Sequence, residues 1–188
     1  MQIDPTKITD FERGDAELQA FWLFGCIVAG KNSDFAAGVV ARLLNRCEST
    51  PFEHFRQMGE IEIRNALVAS RSGNYTRITR FIMESLEIDL KNATQEQLMA
   101  IHGIGPKTAS FFLLHSRPDF EVAVLDTHIL KYLRDKHIDA PKSTPTCPKK
   151  YKSLQDVFLL IAKAEYPCMS VAQIDLLIWS KYSGRLDD

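Results

Sequence analysis

The chain has 188 residues, 45% of them hydrophobic, which is enough to bury a real core in one domain or two small lobes. Its formal net charge of -1 excludes a protein that attracts a polyanion through overall charge, so any nucleic-acid face must be local.

The opening stretch from Met1 to Asp15 is polar and carries both signs, so it reads as no signal peptide. The segment AELQAFWLFGCIVAG is apolar enough for a buried helix that ends near Gly30. Its apolar run at 21–30 falls well below the roughly 20 residues needed to span a bilayer. DFAAGVVARLLNRC has apolar residues at helical spacing. In STPFEHFRQM, Thr50 can cap a helix and Pro51 suits its first turn. EIEIRNALVAS and NYTRITRFIMESLEI continue the helical pattern on either side of Ser72-Gly73. Thr94 and Gln97 form a capping box that opens QEQLMAI.

A hairpin at His102 to Gly105 leads into PKTASFFLLHS, with Pro106 in the first turn. FEVAVLDTHILKYLRDK begins extended and turns helical at Asp126 or Thr127. The three prolines between His137 and Pro148 predict a loop, and Ser153 to Asp156 predicts the start of the next helix. A last helix is expected from about Ser170 to Tyr182, with Gly184 as its stop signal. No run of strands, internal repeat or low-complexity segment is visible, so the fold class is all-α.

The four cysteines, Cys26, Cys47, Cys147 and Cys168, are too far apart for a Cys-x-x-Cys zinc or redox motif and read as free thiols in a reducing, intracellular compartment. Basic residues gather in two places. Arg56, Arg64, Arg71, Arg77 and Arg80 form one group, and Lys142, Lys149, Lys150 and Lys152 form another. Each is either a weak DNA face or an ordinary solvated one.

The chemistry concentrates at IHGIGPKTASFF. Gly103 and Gly105 allow a tight turn and a close approach to a partner. The first amides of the following helix have no intrahelical acceptor and sit at the positive end of its dipole, which suits a phosphate. Such backbone contacts fix register on a duplex without reading sequence. Leu98, Ile101, Ile104 and Ala109 supply apolar positions for packing two short helices.

This stretch resembles the helix-hairpin-helix DNA-binding motif. Further on, VAVLDTHILKYL resembles the loop that carries the essential aspartate in the helix-hairpin-helix-GPD DNA glycosylases. The resemblance implies a bifunctional glycosylase/AP lyase of base excision repair. Lys107 would be the nucleophile that attacks C1′ and forms a Schiff base, after which β-elimination nicks the strand. Partial desolvation at a helix N-terminus favours the neutral amine that this step needs. Asp126 would stabilise positive charge on the sugar and help move protons, a role compatible with capping a helix. His128 reads as a loop or packing residue. The hairpin residues His102, Gly103, Ile104, Gly105 and Thr108 would contact DNA. The target base must be flipped out of the duplex, and Lys31 and Asn32 in AGKNSD are the candidates for filling the gap.

The C-terminal segment SVAQIDLLIWSKYSGRLDD resembles the end of the small 8-oxoguanine DNA glycosylases of archaea and some bacteria, which are all-helical and lack an iron–sulfur cluster. That likeness implies a base pocket with Gln173 and Trp179, to which Phe111 adds a ring one turn beyond Lys107. It also implies two helical lobes with the DNA groove between them. One lobe spans about 1–50 plus 150–188; the other spans about 51–149, with the hairpin at 94–116. The resemblance implies that no cofactor is required, although the carbonyls of Met99, Ile101 and Ile104 would be the ones to hold a monovalent cation at the hairpin. The partner would be duplex DNA with a damaged base or an abasic site, no membrane is involved, and a monomer is expected. Two departures from the family pattern stand out: Ile101-His102 replaces the usual Leu-Pro, and Asp187-Asp188 stand where a C-terminal lysine is expected. The alternatives are an oxidised-pyrimidine enzyme of the endonuclease III type, a non-catalytic DNA-binding module, and a helical scaffold with no DNA role.

Overall fold

A computed structural model describes residues 2–184. The described residues form nine helices and no strand: α1 (Asp15–Ile27), α2 (Ser33–Leu43), α3 (Pro51–Ala69), α4 (Tyr75–Ser85), α5 (Gln95–Ala100), α6 (Pro106–Ser116), α7 (Thr127–Asp135), α8 (Pro148–Glu165) and α9 (Val171–Tyr182). They group into two compact units, 1–104 and 105–188. None of these helices is long and apolar enough to cross a membrane.

Local signals set most helix starts. The hydroxyls of Thr50, Thr94 and Ser170 accept hydrogen bonds from the amides of Glu53, Gln97 and Gln173, and each partner side chain returns to the cap's own amide. These reciprocal boxes satisfy donors that the helix leaves open. Pro51, Pro106 and Pro148 occupy first-turn positions, where no amide is needed.

The Ser153 start is corrected by the structure. Helix α8 begins five residues earlier, at Pro148, because that proline opens the helix rather than ending the loop. Lys149, Lys150 and Lys152 therefore sit exposed on its first turns, with Lys152 paired to Asp156 at 2.8 Å.

In the first unit, α1 is apolar nearly all round and is buried between its neighbours. Trp22 is fully buried against Phe81, with ring centroids 5.3 Å apart. Its indole N–H donates to Ser85 Oγ at 2.9 Å, and that hydroxyl donates to the Phe81 carbonyl at 2.7 Å. Every polar atom that enters with the tryptophan is thereby satisfied. Helix α3 breaks at Gly59, with φ 72° and ψ 171°.

In the second unit, α9 packs on α6, α7 and α8. The segment 121–125 has no regular secondary structure and no partner strand, and side chains take up its backbone groups. Tyr151 Oη donates to the Ala123 carbonyl at 2.8 Å and accepts from the Leu125 amide at 3.3 Å. Gln155 Oε1 accepts from the Ala123 amide at 3.2 Å, and Thr144 Oγ1 donates to the Leu125 carbonyl at 2.7 Å. Burial pushes the Tyr151 phenol up to about 12, so it remains a donor at any physiological pH. This bracing delivers the chain, at a fixed place and direction, to Asp126.

The break at Gly59 yields a test of the fold. Its backbone region is open essentially to glycine alone, so Gly59→Ala should lower stability by about 1–3 kcal/mol. Urea unfolding checks this, with the loss appearing in the midpoint rather than the slope.

Candidate active site and hairpin

The site builds up separately in each unit. In the second unit, α6 carries Lys107, Phe111 and His115 at intervals of four, which places them on one helical face. Lys107 Nζ stands 5.9 Å from the Phe111 ring centroid. The Phe111 ring meets the His115 ring edge-on, with centroids 5.2 Å apart. His115 is fully buried, and its Nε2 lies 3.2 Å from Oδ2 of the buried Asp175 on α9. One turn further along α9, half-buried Trp179 packs edge-to-face on His128, at 6.4 Å and 84°.

Asp126 is the N-cap of α7. Its Oδ1 accepts from the amides of His128 and Ile129, both at 2.9 Å. Burial raises its carboxyl above the usual carboxylate range. The Ile129 hydrogen bond opposes that, the charge of Asp175 adds to it, and the charges of Lys107 and His128 pull it back. Asp126 thus lies within electrostatic reach of Lys107, His128 and Asp175 together. The other oxygen of Asp175, Oδ1, is buried and has no hydrogen-bond partner among the described residues, an open acceptor in this group.

The predicted residues distribute unevenly. Lys107, Phe111, Asp126 and Trp179 come together in the second unit. Gln173 does not join them: it is exposed, and its side chain closes the capping box with Ser170. The polar group that α9 buries on this side is Asp175. Sequence reading passed over His115 and Asp175. The available signals were a histidine one turn beyond Phe111 and the lone acid in the apolar run VAQIDLLIW. The expectation at Asp187 and Asp188 lies outside the described residues.

The first unit holds the hairpin turn. The Ile104 amide donates to the Ile101 carbonyl at 3.1 Å, and Gly103 has φ +81°. A positive φ at the third position of such a turn is the type II pattern. Ile101 and Ile104 are buried, Met99 is half-buried, and His102 and Gly103 are exposed. Arg77 of α4 donates to the Gly103 carbonyl at 3.4 Å and to the Cys26 carbonyl, near the end of α1, at 3.3 Å. Close by, Lys31 Nζ donates to the Ile27 carbonyl at 3.2 Å. Burial, and then the Arg77 charge, lower the pKa of that ammonium. Asn32 Oδ1 caps α2 through the amides of Asp34 and Phe35. The predicted gap-filling turn and the hairpin turn therefore meet at Arg77. Three other arginines of that group are engaged within the chain: Arg56 with the Leu86 carbonyl and Glu87, Arg64 with Thr76, and Arg80 with Glu84.

The two glycines of the hairpin differ. Gly103 needs its left-handed backbone, and a Cβ there would stand 3.1 Å from Arg77 Cγ. Gly105 is extended, at φ -104° and ψ 177°, and a Cβ there would meet nothing within 4 Å. The fold does not require glycine at 105. It begins α6 beside Lys107 and Thr108, the former half-buried and the latter buried, and no side chain caps that helix.

With this geometry in view, the sequence profile of the 8-oxoguanine DNA glycosylase family matches residues 52–165. The chain belongs to this family. Its fold is similar to that of the 8-oxoguanine glycosylase/lyase of Methanocaldococcus jannaschii, solved in complex with a 15mer DNA containing 8-oxoguanine. That likeness has a TM-score of 0.73 at 20% identity and covers 97% of this chain and 90% of that one. The 8-oxoguanine DNA glycosylase of Thermotoga maritima is similar too, with a TM-score of 0.70 at 23% identity, over 94% of this chain and 85% of that one. No curated protein sequence matches. Family membership makes the chain a DNA glycosylase and bears out the sequence expectation of an all-helical member of the helix-hairpin-helix class.

Two outcomes follow from this geometry. Gly103→Ala should lose about 1–2 kcal/mol of stability, the cost of a left-handed non-glycine residue, whereas Gly105→Ala should melt close to wild type yet bind duplex DNA more weakly. Calorimetry and fluorescence anisotropy read the two effects separately. Asp126→Asn should keep both cap bonds while removing a half-buried titratable group. Because the folded carboxyl titrates above its unfolded value, its favourable contribution is complete below the unfolded pKa and is lost as pH rises through the folded one. The stability of Asp126→Asn relative to wild type should therefore grow as pH rises from about 3 to 7, as thermal melts across that range would show.

Proposed function

We propose that the chain binds duplex DNA containing 8-oxoguanine or an abasic site, flips out the lesion, excises the base and nicks the strand through a Schiff base on Lys107. The observation that carries this reading is the placement of Lys107 within electrostatic reach of the capped, half-buried carboxylate of Asp126. Phe111 and Trp179, on the same helices as His115 and Asp175, add aromatic surface. A non-catalytic hairpin module has no use for that combination.

The steps follow from the groups present. The Lys107 amine donates its lone pair to C1′ as the glycosidic bond breaks, and the bond electrons depart with the base, which takes up a proton. The carboxylate of Asp126 offsets the positive charge that develops on the sugar. Loss of the amine proton opens the sugar to an iminium linkage. Removal of a C2′ proton then expels the 3′ phosphate and leaves a nick. In the base pocket, the unmatched acceptor of Asp175 suits an N–H of a flipped purine, and Phe111 and Trp179 supply stacking faces. Backbone amides at the start of α6 suit a DNA phosphate. The carbonyls of Met99, Ile101 and Ile104 fit a monovalent cation in kind: Ile101 accepts one hydrogen bond from Ile104 and retains a second lone pair. An ion there would add positive charge beside the phosphate.

Borohydride trapping on an 8-oxoguanine duplex and on an abasic duplex tests the reading. Wild type should form a covalent adduct with both, and Lys107→Gln with neither. Asp126→Asn should slow excision about 10²–10⁴-fold without unfolding. An adduct with the abasic duplex alone would retain the lyase and overturn the lesion assignment. No adduct with either would overturn the role of Lys107.

A further inference from the structure

The hairpin turn of this chain lacks the residue that normally stiffens its type. In a type II turn the second position favours proline, whose ring presets φ. Here that position is His102, which keeps an amide proton and its backbone freedom. The backbone would admit proline: Ile101, with φ -70° and ψ 134°, already has the extended conformation that a following proline demands.

Helix α4 meets the turn with two side chains. Glu84 Oε2 accepts the His102 amide at 2.6 Å, and Glu84 Oε1 is held by Arg80 Nε at 2.6 Å. Seven residues earlier on the same helix, Arg77 donates to the Gly103 carbonyl and packs beneath the glycine. The His102 bond is the foremost cause that holds the Glu84 carboxyl below the usual range, and Arg80 adds to it.

We infer that Glu84 is a positioning residue: by accepting the His102 amide it fixes the hairpin turn, with Arg77 holding the next carbonyl, and so does the work of a proline at 102. Arg80 orients the carboxylate and offsets its charge, which would otherwise repel an approaching phosphate. The turn enters α6 through Gly105, so a turn left free to move loses part of its backbone presentation to DNA. This consequence rests on the reading that the hairpin binds duplex DNA.

The experiment uses the full chain as wild type, Glu84→Ala, Glu84→Gln and the double variant Glu84→Ala/His102→Pro. Amide hydrogen exchange by ¹⁵N NMR, without DNA, reads the turn itself. The His102 amide should be protected in wild type and lose that protection in Glu84→Ala. An unprotected wild-type amide, or protection that survives Glu84→Ala, overturns the inference. Kd for a duplex with a tetrahydrofuran abasic analogue, together with kcat and KM on the 8-oxoguanine duplex, reads the consequence. Glu84→Ala should raise Kd and KM about tenfold, the size of one charge-assisted hydrogen bond, with kcat nearly unchanged. Glu84→Gln, which keeps an acceptor oxygen, should lose less. The double variant should recover most of the lost affinity, because proline fixes the turn without Glu84. Equal Kd for wild type and Glu84→Ala, or a loss that proline does not restore, overturns the inference. A wild-type chain that shows the Glu84-dependent protection but ignores the duplex overturns the DNA reading and supports Glu84 as the holder of the turn.

Discussion

The second unit depends on holding a half-buried carboxylate in a fixed place. Asp126 achieves this as a helix cap: two amides of α7 that have no intrahelical acceptor donate to one of its oxygens. Those bonds offset part of the desolvation, and the rest appears as a raised carboxyl pKa. The position is tolerable because the preceding backbone cannot wander. Residues 121–125 have no neighbouring strand, and Tyr151, Gln155 and Thr144 serve in its place. The cap, the braces and the helix that supplies two of them act as one support for a single side chain.

A second economy lies in α6. One helix face carries the amine, an aromatic ring and a buried imidazole in succession, so three positions four apart define a line from the half-buried start of the helix into the core. Asp175 and Trp179 repeat the interval on α9. Facing stripes of this kind tolerate little rotation of either helix, because turning one stripe would expose the His115–Asp175 pair or leave it unmatched.

Much of this was legible in the sequence where the physics is local. Thr50, Thr94 and Ser170 marked helix starts because a hydroxyl and a carboxylate or amide three residues on can satisfy each other's open donors wherever the chain goes. Lys107 and Asp126 could be singled out because a lysine after a glycine turn and an acid at a helix start are unusual together, and the structure places both in the second unit. The start of α8 was misplaced because proline both ends loops and opens helices, and Pro148 does the second. Gln173 and Asp175 show the sharper limit. Both are polar residues on α9, and only packing decides that one closes a cap in solvent while the other is buried against His115. The contact between Glu84 and His102 joins residues 18 positions apart and leaves no periodic trace. Gly103 and Gly105 read alike as letters, and their backbone angles separate them.

The chain has two tryptophans, and they fall one in each unit. Trp22 is sealed in the first core with its indole bonded to Ser85, whereas Trp179 lies half-buried against His128, on the helix that also carries Asp175. Their fluorescence should divide accordingly. A blue-shifted, quencher-resistant component from Trp22 provides a fixed internal reference. A second component, from Trp179, is open to quenching by whatever stacks beside it. The protein thus carries its own optical probe of the surroundings of His128 and Trp179, with the sealed Trp22 as an internal reference.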